Sequence, residues 1–294
     1  MSAREPTAHV WQNTPASHAG TFLIGGDLKV NRMGFGAMRL TGPSIWGPPP
    51  NRAEALEVLR RAVELGVNLI DTADSYGPEV SELLIAEALH PYPPGLVIAT
   101  KAGLVRPSPG EWKRNGRPEH LRAACEGSLK RLRLERIELF QLHAPDPQVP
   151  FAESIGALAD LQRAGKIRHI GVSNVDVDQL DEARAIVRVV SVQNRYNLGD
   201  RHHAPVLEDC EHDGLGFMPW FPLGAGPLAT SRGALEKVAK RYDATPAQVA
   251  LAWLLSHSPV TLPIPGTSSV AHLEENVAAA SLRLTRGDVR ELEA

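Results

Sequence analysis

The chain has 294 residues, 43% of them hydrophobic, and a formal net charge of −3. That is apolar material for a large core, and the mild acidity offers no global attraction for nucleic acid or an anionic membrane. No stretch approaches the roughly 18–20 consecutive apolar residues that span a bilayer.

Residues 1–20 are polar, carry two prolines and lack an apolar secretory segment, with Trp11 their one large apolar side chain. They read as a disordered tail ahead of a single folded domain, residues 21–294. Thr21-Phe22-Leu23-Ile24 and Leu28-Lys29-Val30 flank Gly25-Gly26-Asp27, which predicts a β-hairpin. From Met33 onward, short apolar runs alternate with helical patterns. Strands are predicted at 33–35, 68–70, 96–100, 138–142, 169–172, 189–192, 217–219 and 261–264. Most are apolar throughout, as strands covered on both faces are.

Helices are predicted at 51–65, 118–131, 151–164, 177–187, 205–212 and 269–280, and from Thr245-Pro246 over the apolar Val249, Leu251, Trp253 and Leu254. Asn51 and Thr245 read as N-caps, Pro246 as a first helical residue and Gly66 as a stop. Eight strands, each followed by a helix or long loop, predict an α/β (β/α)₈ barrel with an N-terminal hairpin. A doubly wound dinucleotide fold would need Gly-x-Gly-x-x-Gly between a strand and a helix. Gly34-Phe35-Gly36-Ala37-Met38-Arg39 lacks the third glycine and runs into three prolines, 48–50, where that helix should begin. Cys125 and Cys210 form neither a metal pair nor a disulfide framework and read as reduced, buried thiols of a cytoplasmic protein. Between residues 113 and 136, eight basic residues face three acidic ones, which reads as a solvated helix face.

The predicted strands end in useful chemistry. One delivers Asp71, with Tyr76 five residues on, the next Lys101, and the next His143. Singly each has an ordinary explanation: a turn former, a solvated charge, a half-buried ring, a turn packed by a phenol. In a parallel barrel, however, all four share the C-terminal face where active sites form. Lys101 could tune the Tyr76 phenol, Asp71 could neutralise Lys101, and His143 could hydrogen-bond a substrate oxygen. No Ser or Cys nucleophile stands beside a base, and no metal-ligand set is present, so hydride from a nicotinamide is the natural attacking group. A Schiff-base aldolase using Lys101 is the competing enzyme class, and a nicotinamide-binding regulatory sensor the competing non-catalytic one.

Asp71-Thr72-Ala73-Asp74-Ser75-Tyr76-Gly77, Lys101, Gln141-Leu142-His143 and Gly171-Val172-Ser173-Asn174 together resemble the aldo-keto reductase superfamily. The resemblance spans nearly everything after Gly20. It implies a barrel that binds NADPH, less often NADH, and reversibly reduces an aldehyde or ketone. Asp71, Tyr76, Lys101 and His143 would be the catalytic tetrad. Ser173, Asn174 and Gln193 match positions that hold the nicotinamide carboxamide, and Trp220 matches the stacking aromatic. Gly36, Ala37 and Met38, the run Phe221, Pro222, Leu223 and Gly224, and Ile264, Gly266, Thr267, Ser268, His272, Glu275 and Asn276 complete the implied cofactor groove.

Gly266 and His272 stand where many members have lysine and arginine, which leaves Ser268 and His272 to hold a 2′-phosphate. Trp46 and Trp112 are expected to wall the substrate pocket with Tyr76 and His143. The implied partner is a small carbonyl compound, with no nucleic acid, membrane or metal, and a monomer is the expected state.

Overall fold

The computed structural model describes residues 10–224 and 233–294. Strands β1 (Thr21–Ile24) and β2 (Leu28–Asn31) pair antiparallel across the Gly-rich turn, as predicted. The alternation then runs β3 (Phe35–Gly36), α1 (Arg52–Glu64), β4 (Leu69–Asp71), α2 (Val80–Leu89) and β5 (Val97–Ala102). A short hairpin, β6 (Leu104–Val105) and β7 (Lys113–Arg114), precedes α3 (Pro118–Leu132). Next come β8 (Ile137–Leu142), α4 (Phe151–Arg163), β9 (Ile167–Ser173), α5 (Val177–Ile186), β10 (Val189–Gln193), α6 (Ala204–Asp213) and β11 (Gly216–Phe217). Helices α7 (Ala234–Arg241), α8 (Pro246–His257), α9 (Val270–Ala278) and α10 (Arg286–Glu293) follow.

Strands β3, β4, β5, β8, β9, β10 and β11 lie side by side in one parallel sheet. Residues 260–265 close it into a (β/α)₈ barrel. On one side Phe217 N–H donates to Val260 O (2.9 Å) and Leu262 N–H to Phe217 O (2.7 Å). On the other, Gly34 N–H donates to Pro263 O (2.9 Å) and Gly36 N–H to Pro265 O (3.3 Å). The predicted eighth strand is thus a set of bridges, because Pro263 and Pro265 have no N–H to give a regular ladder. Hairpin residues Ile24, Leu28 and Val30 pack against Leu69, Val97, Leu139 and Leu262, which plugs the N-terminal end of the barrel. The strand C-termini form the open end.

The expected disordered tail is corrected from residue 10 onward. Trp11 is buried and its indole N–H donates to Pro94 O (2.9 Å), while Ala16, fully buried in a short 3₁₀ helix, donates its N–H to Leu65 O (2.9 Å). Gly66 makes this docking possible. It has φ +87°, and a Cβ there would lie 1.9 Å from Thr14 Oγ1. Residues 1–9 lie outside the described residues.

The caps fall where the sequence puts them, with Asn51 Oδ1 accepting from Glu54 N–H (3.1 Å) and Thr245 Oγ1 from Gln248 N–H (3.2 Å). Helix α2 is an addition. Its polar residues Ser81 and Glu82 face inward, and Glu82 Oε2 accepts from Arg131 Nε (2.6 Å), so no apolar stripe betrays it. The basic segment 113–136 is partly neutralised in the same way, by pairs such as Arg131–Glu82 and Arg122–Asp160. Both cysteines are buried and free.

Candidate active site

Asp71, Lys101 and His143 reach the open end from β4, from β5 and from the residue after β8. Beyond β4 the chain stays stitched to β5, since Thr72 N–H donates to Ala99 O (2.8 Å) and Asp74 N–H to Lys101 O (3.2 Å). That tether delivers Tyr76, whose N–H closes a turn onto Ala73 O (3.2 Å). Lys101 is 0% exposed, and Nζ donates to Asp71 Oδ2 (2.8 Å), Thr72 O (2.7 Å) and the Tyr76 hydroxyl (3.3 Å). All three ammonium protons are therefore directed. Asp71 Oδ1 faces Gln193 Nε2 (2.8 Å) and Gln141 Nε2 (3.4 Å).

Burial pushes the Tyr76 phenol above its ordinary value of 10, with Lys101 pulling partly against it. Burial is the largest influence on Lys101 and would lower it, yet the charges and hydrogen bonds of Asp71 and Tyr76 together outweigh it and the ammonium is held above 10.5. Burial, reinforced by Lys101, drives His143 well below 6.5, so the imidazole is neutral near pH 7. Ser75 Oγ lies 3.4 Å from Nδ1, which leaves Nε2 without a protein partner among the described residues. The rings of Tyr76, His143 and Trp112 meet edge to face, with centroids 5.8, 6.4 and 6.5 Å apart.

A cavity of about 1020 Å³ opens over this cluster. Asp71, Tyr76, His143, Trp112, Ser173, Asn174, Gln193 and Trp220 line it, as do Gly36, Met38, the run 221–223, Ile264, Gly266, Thr267 and Ser268. Ala37, Gly224, His272, Glu275 and Asn276 do not line it. Ala37 is fully buried, and Glu275 accepts from the Thr245 hydroxyl (2.6 Å) on the cap of α8. Lys101 lies beneath the wall, behind Tyr76. Trp46 corrects an expectation. It stands off the wall because its ring packs toward Arg106, whose Cζ is 5.7 Å from the ring centre.

Around the rim, Asn174 adopts φ +59°. Its Nδ2 donates to His143 O (2.9 Å) and Ser173 Oγ (3.0 Å), and its Oδ1 accepts from the Trp220 indole N–H (3.1 Å). Asn174 thus fixes His143 and Trp220 together. Gln193 turns its amide nitrogen inward to Asp71, and its Oε1 has no protein partner among the described residues.

The far end explains Gly266. A Cβ at 266 would lie 2.6 Å from Gly36 O, and one at Gly36 would lie 2.6 Å from Ile264 O. Two backbones meet where no side chain fits. Arg39 passes alongside, with its Cγ 3.6 Å from that imagined Cβ. It is exposed, lines the cavity and has no acidic partner within 4 Å among the described residues. The sequence reading misses Arg39 because nothing in its local pattern sets it apart from a surface arginine.

The model of the Aldo/keto reductase family matches residues 32–294. The chain belongs to the aldo/keto reductase family. An uncharacterized oxidoreductase of Schizosaccharomyces pombe is 52% identical over 270 residues, covering 92% of this chain and 88% of that protein. Pyridoxine 4-dehydrogenase of Escherichia coli is 45% identical over 275 residues, 91% of this chain and 95% of that one. The fold matches an aldo-keto reductase of Klebsiella pneumoniae crystallised with NADPH, at TM-score 0.78 and 25% identity over 92% and 93% of the two chains.

This aldo/keto reductase is an NAD(P)H-dependent oxidoreductase, and its cavity fits such a dinucleotide. Gln193 Oε1 is an acceptor suited to a carboxamide NH₂, Trp220 offers a ring face, and Arg39 offers a cation for a phosphate. The Gly36–Gly266 approach leaves bare backbone between these two ends.

Proposed function

We propose that this enzyme reversibly reduces an aldehyde to a primary alcohol with NADPH, and that Tyr76 is its proton donor. The observation that carries this reading is the buried Lys101 ammonium held between Asp71 Oδ2 and the Tyr76 hydroxyl. Bound NADPH supplies hydride to the carbonyl carbon. The remaining task is to protonate the oxygen as it becomes an alkoxide, which needs a donor that is loaded at neutral pH and stabilised once it has lost its proton. Tyr76 is loaded because burial raises its pKa, and Lys101 stabilises the phenolate it leaves. Asp71 keeps Lys101 charged.

Neutral His143 aligns the carbonyl oxygen through Nε2. Gln193 would accept from the carboxamide, Trp220 would offer its ring face to the nicotinamide, and Arg39, with Ser268, would hold a phosphate. Ser173 and Asn174 set the shape of that pocket. The same geometry opposes a Schiff-base role for Lys101, since a charged amine with all its protons directed has no lone pair to attack a carbonyl.

The substrate reading draws on the relative that acts on pyridoxine. The cavity wall of Tyr76, His143, Trp112 and Phe221 suits a planar aromatic ring, so we place pyridoxal, an aromatic aldehyde, first among candidate substrates. The test is NADPH consumption with pyridoxal, followed at the near-ultraviolet band of the reduced cofactor. Tyr76→Phe should lower kcat about 10²–10⁴-fold, the range of a lost general acid, with the NADPH Kd unchanged. Near-normal turnover by Tyr76→Phe would refute the role given to Tyr76.

A further inference from the structure

Arg106 is a buried cation that the proposed chemistry does not use. It follows β6, is 7% exposed, and has no carboxylate within 4 Å among the described residues. Its guanidinium is satisfied by main-chain carbonyls from two separate loops. Nε donates to Glu111 O (2.9 Å) in the β6–β7 loop, and Nη1 and Nη2 donate to Ile45 O and Ser44 O (2.9 Å each) in the loop after β3. Cζ lies 3.9 Å from the centre of the Trp112 ring and 5.7 Å from that of Trp46. A planar group with a fixed fork of donors suits this joint, and a lysine could not reproduce it.

The joint also holds strain. Ser44 and Ile45 both have φ +57°, a left-handed conformation that is unfavourable for a β-branched residue. Theirs are the two carbonyls that Arg106 binds. The next residue, Trp46, bridges to Gly77, and Gly47 N–H donates to Gly77 O (2.6 Å), directly beyond Tyr76. Trp112 in turn meets Tyr76 and His143 edge to face. Arg106 is absent from the cavity wall, whereas Ile45, Trp112 and Ser44 are on it.

We propose that Arg106 is a positioning residue that determines specificity. It clamps the two loops so that Trp112 and the strained turn at Ser44-Ile45 form one rigid wall opposite Tyr76 and His143. That wall selects flat aromatic aldehydes over short aliphatic ones. The inference rests on the reading of Tyr76 and His143 as the groups that meet the carbonyl.

Arg106→Met, which keeps an unbranched apolar stem and removes the donors and charge, is compared with Arg106→Lys using benzaldehyde and propanal. In Arg106→Met the KM for benzaldehyde should rise at least ten-fold, while kcat and KM for propanal and the NADPH Kd stay within about two-fold. Arg106→Lys should fail to rescue. Trp112→Ala should likewise raise KM for benzaldehyde, and adding Arg106→Met to it should shift that KM by less than two-fold more, since both changes remove one wall. Because Trp112 is partly exposed, that variant keeps the test available if Arg106→Met does not fold. Equal shifts for both aldehydes, rescue by lysine, or additive effects of Arg106→Met and Trp112→Ala would overturn the clamp alone. Wild-type protein inert toward both aldehydes would overturn the clamp, and inertness toward pyridoxal as well would overturn the proposed function.

Discussion

Replacing Asp71 by Asn tests the ion pair on which the proposed acid depends. Asparagine keeps the shape and an oxygen for Gln193, but it removes the charge 2.8 Å from a fully buried ammonium. Stripping one partner from a buried pair generally costs about 3–5 kcal/mol, because the remaining charge is left uncompensated. Thr72 O, 2.7 Å from Nζ, remains as a partial partner, so the loss should fall near about 3 kcal/mol.

The sign of the pH dependence is fixed by Lys101. In the wild-type protein its pKa is raised, so the stability it contributes is complete below its ordinary 10.5 and is lost only as pH climbs through the higher folded value. In Asp71→Asn burial, the largest influence, is opposed only by Tyr76, and the folded pKa is expected to fall below 10.5. The unfolded chain then binds more protons than the folded one between those two values, and the variant gains stability as pH rises. The gap between the two proteins should therefore close from pH 7 toward pH 10. Urea denaturation at several pH values measures it, and Asp71→Asn combined with Lys101→Met should recover much of the loss. A loss below about 1 kcal/mol, or a double variant no more stable than the single one, would refute the account of this pair.

The pKa directions also predict the rate profiles. Reduction should be level from pH 6 to 8, since His143 stays neutral there, and should decline above pH 10 as Tyr76 loses its proton, while alcohol oxidation rises in that upper window. An acid limb near pH 6.5 that disappears in His143→Gln would contradict the burial of that ring. Arg39→Gln should raise the NADPH Kd about 5–30-fold, the loss of one partly exposed charge-assisted contact, with a shallower salt dependence. Fluorescence titration measures this, Arg39→Lys should restore most of the affinity, and an unchanged Kd would remove Arg39 from the cofactor site. A parallel titration with NADH locates the contact: equal weakening places it at the pyrophosphate, and weakening of NADPH alone at the 2′-phosphate.

The barrel is legible in the sequence because its strands are covered on both faces and read as uninterrupted apolar runs that stop at polar residues. Asp71, Lys101 and His143 stand at those stops, and a strand end fixes which face of the molecule a residue reaches. What escapes is whatever a long-range partner decides. Ser81 and Glu82 interrupt the apolar face of α2, and only Arg131, from another helix, explains why Glu82 can be buried. Residues 10–20 look too polar to fold, yet Trp11 and Ala16 find sites prepared by Pro94, Leu65 and the bare backbone of Gly66. Arg106 is one arginine among many until the loop after β3 folds over it.

Gly266 shows the same limit at the cofactor end. Read along the chain, it is a deficit, a position where a cation is expected and none is supplied. In the folded protein the deficit is imposed by Gly36, whose carbonyl oxygen lies only 2.6 Å from the place where any Cβ at 266 would have to go. An exposed cation passes alongside, Arg39, three residues after Gly36 on the first barrel strand's own loop. The charge that a lysine at 266 would have brought from the last stave of the barrel is thus available from the first one, across the seam where the sheet closes. If Arg39 meets the phosphate as proposed, NADPH binding by this chain depends on the seam itself. A side chain at Gly36 or Gly266 that pries the two backbones apart should weaken the cofactor more than its own size would suggest, because it would also carry Arg39 away.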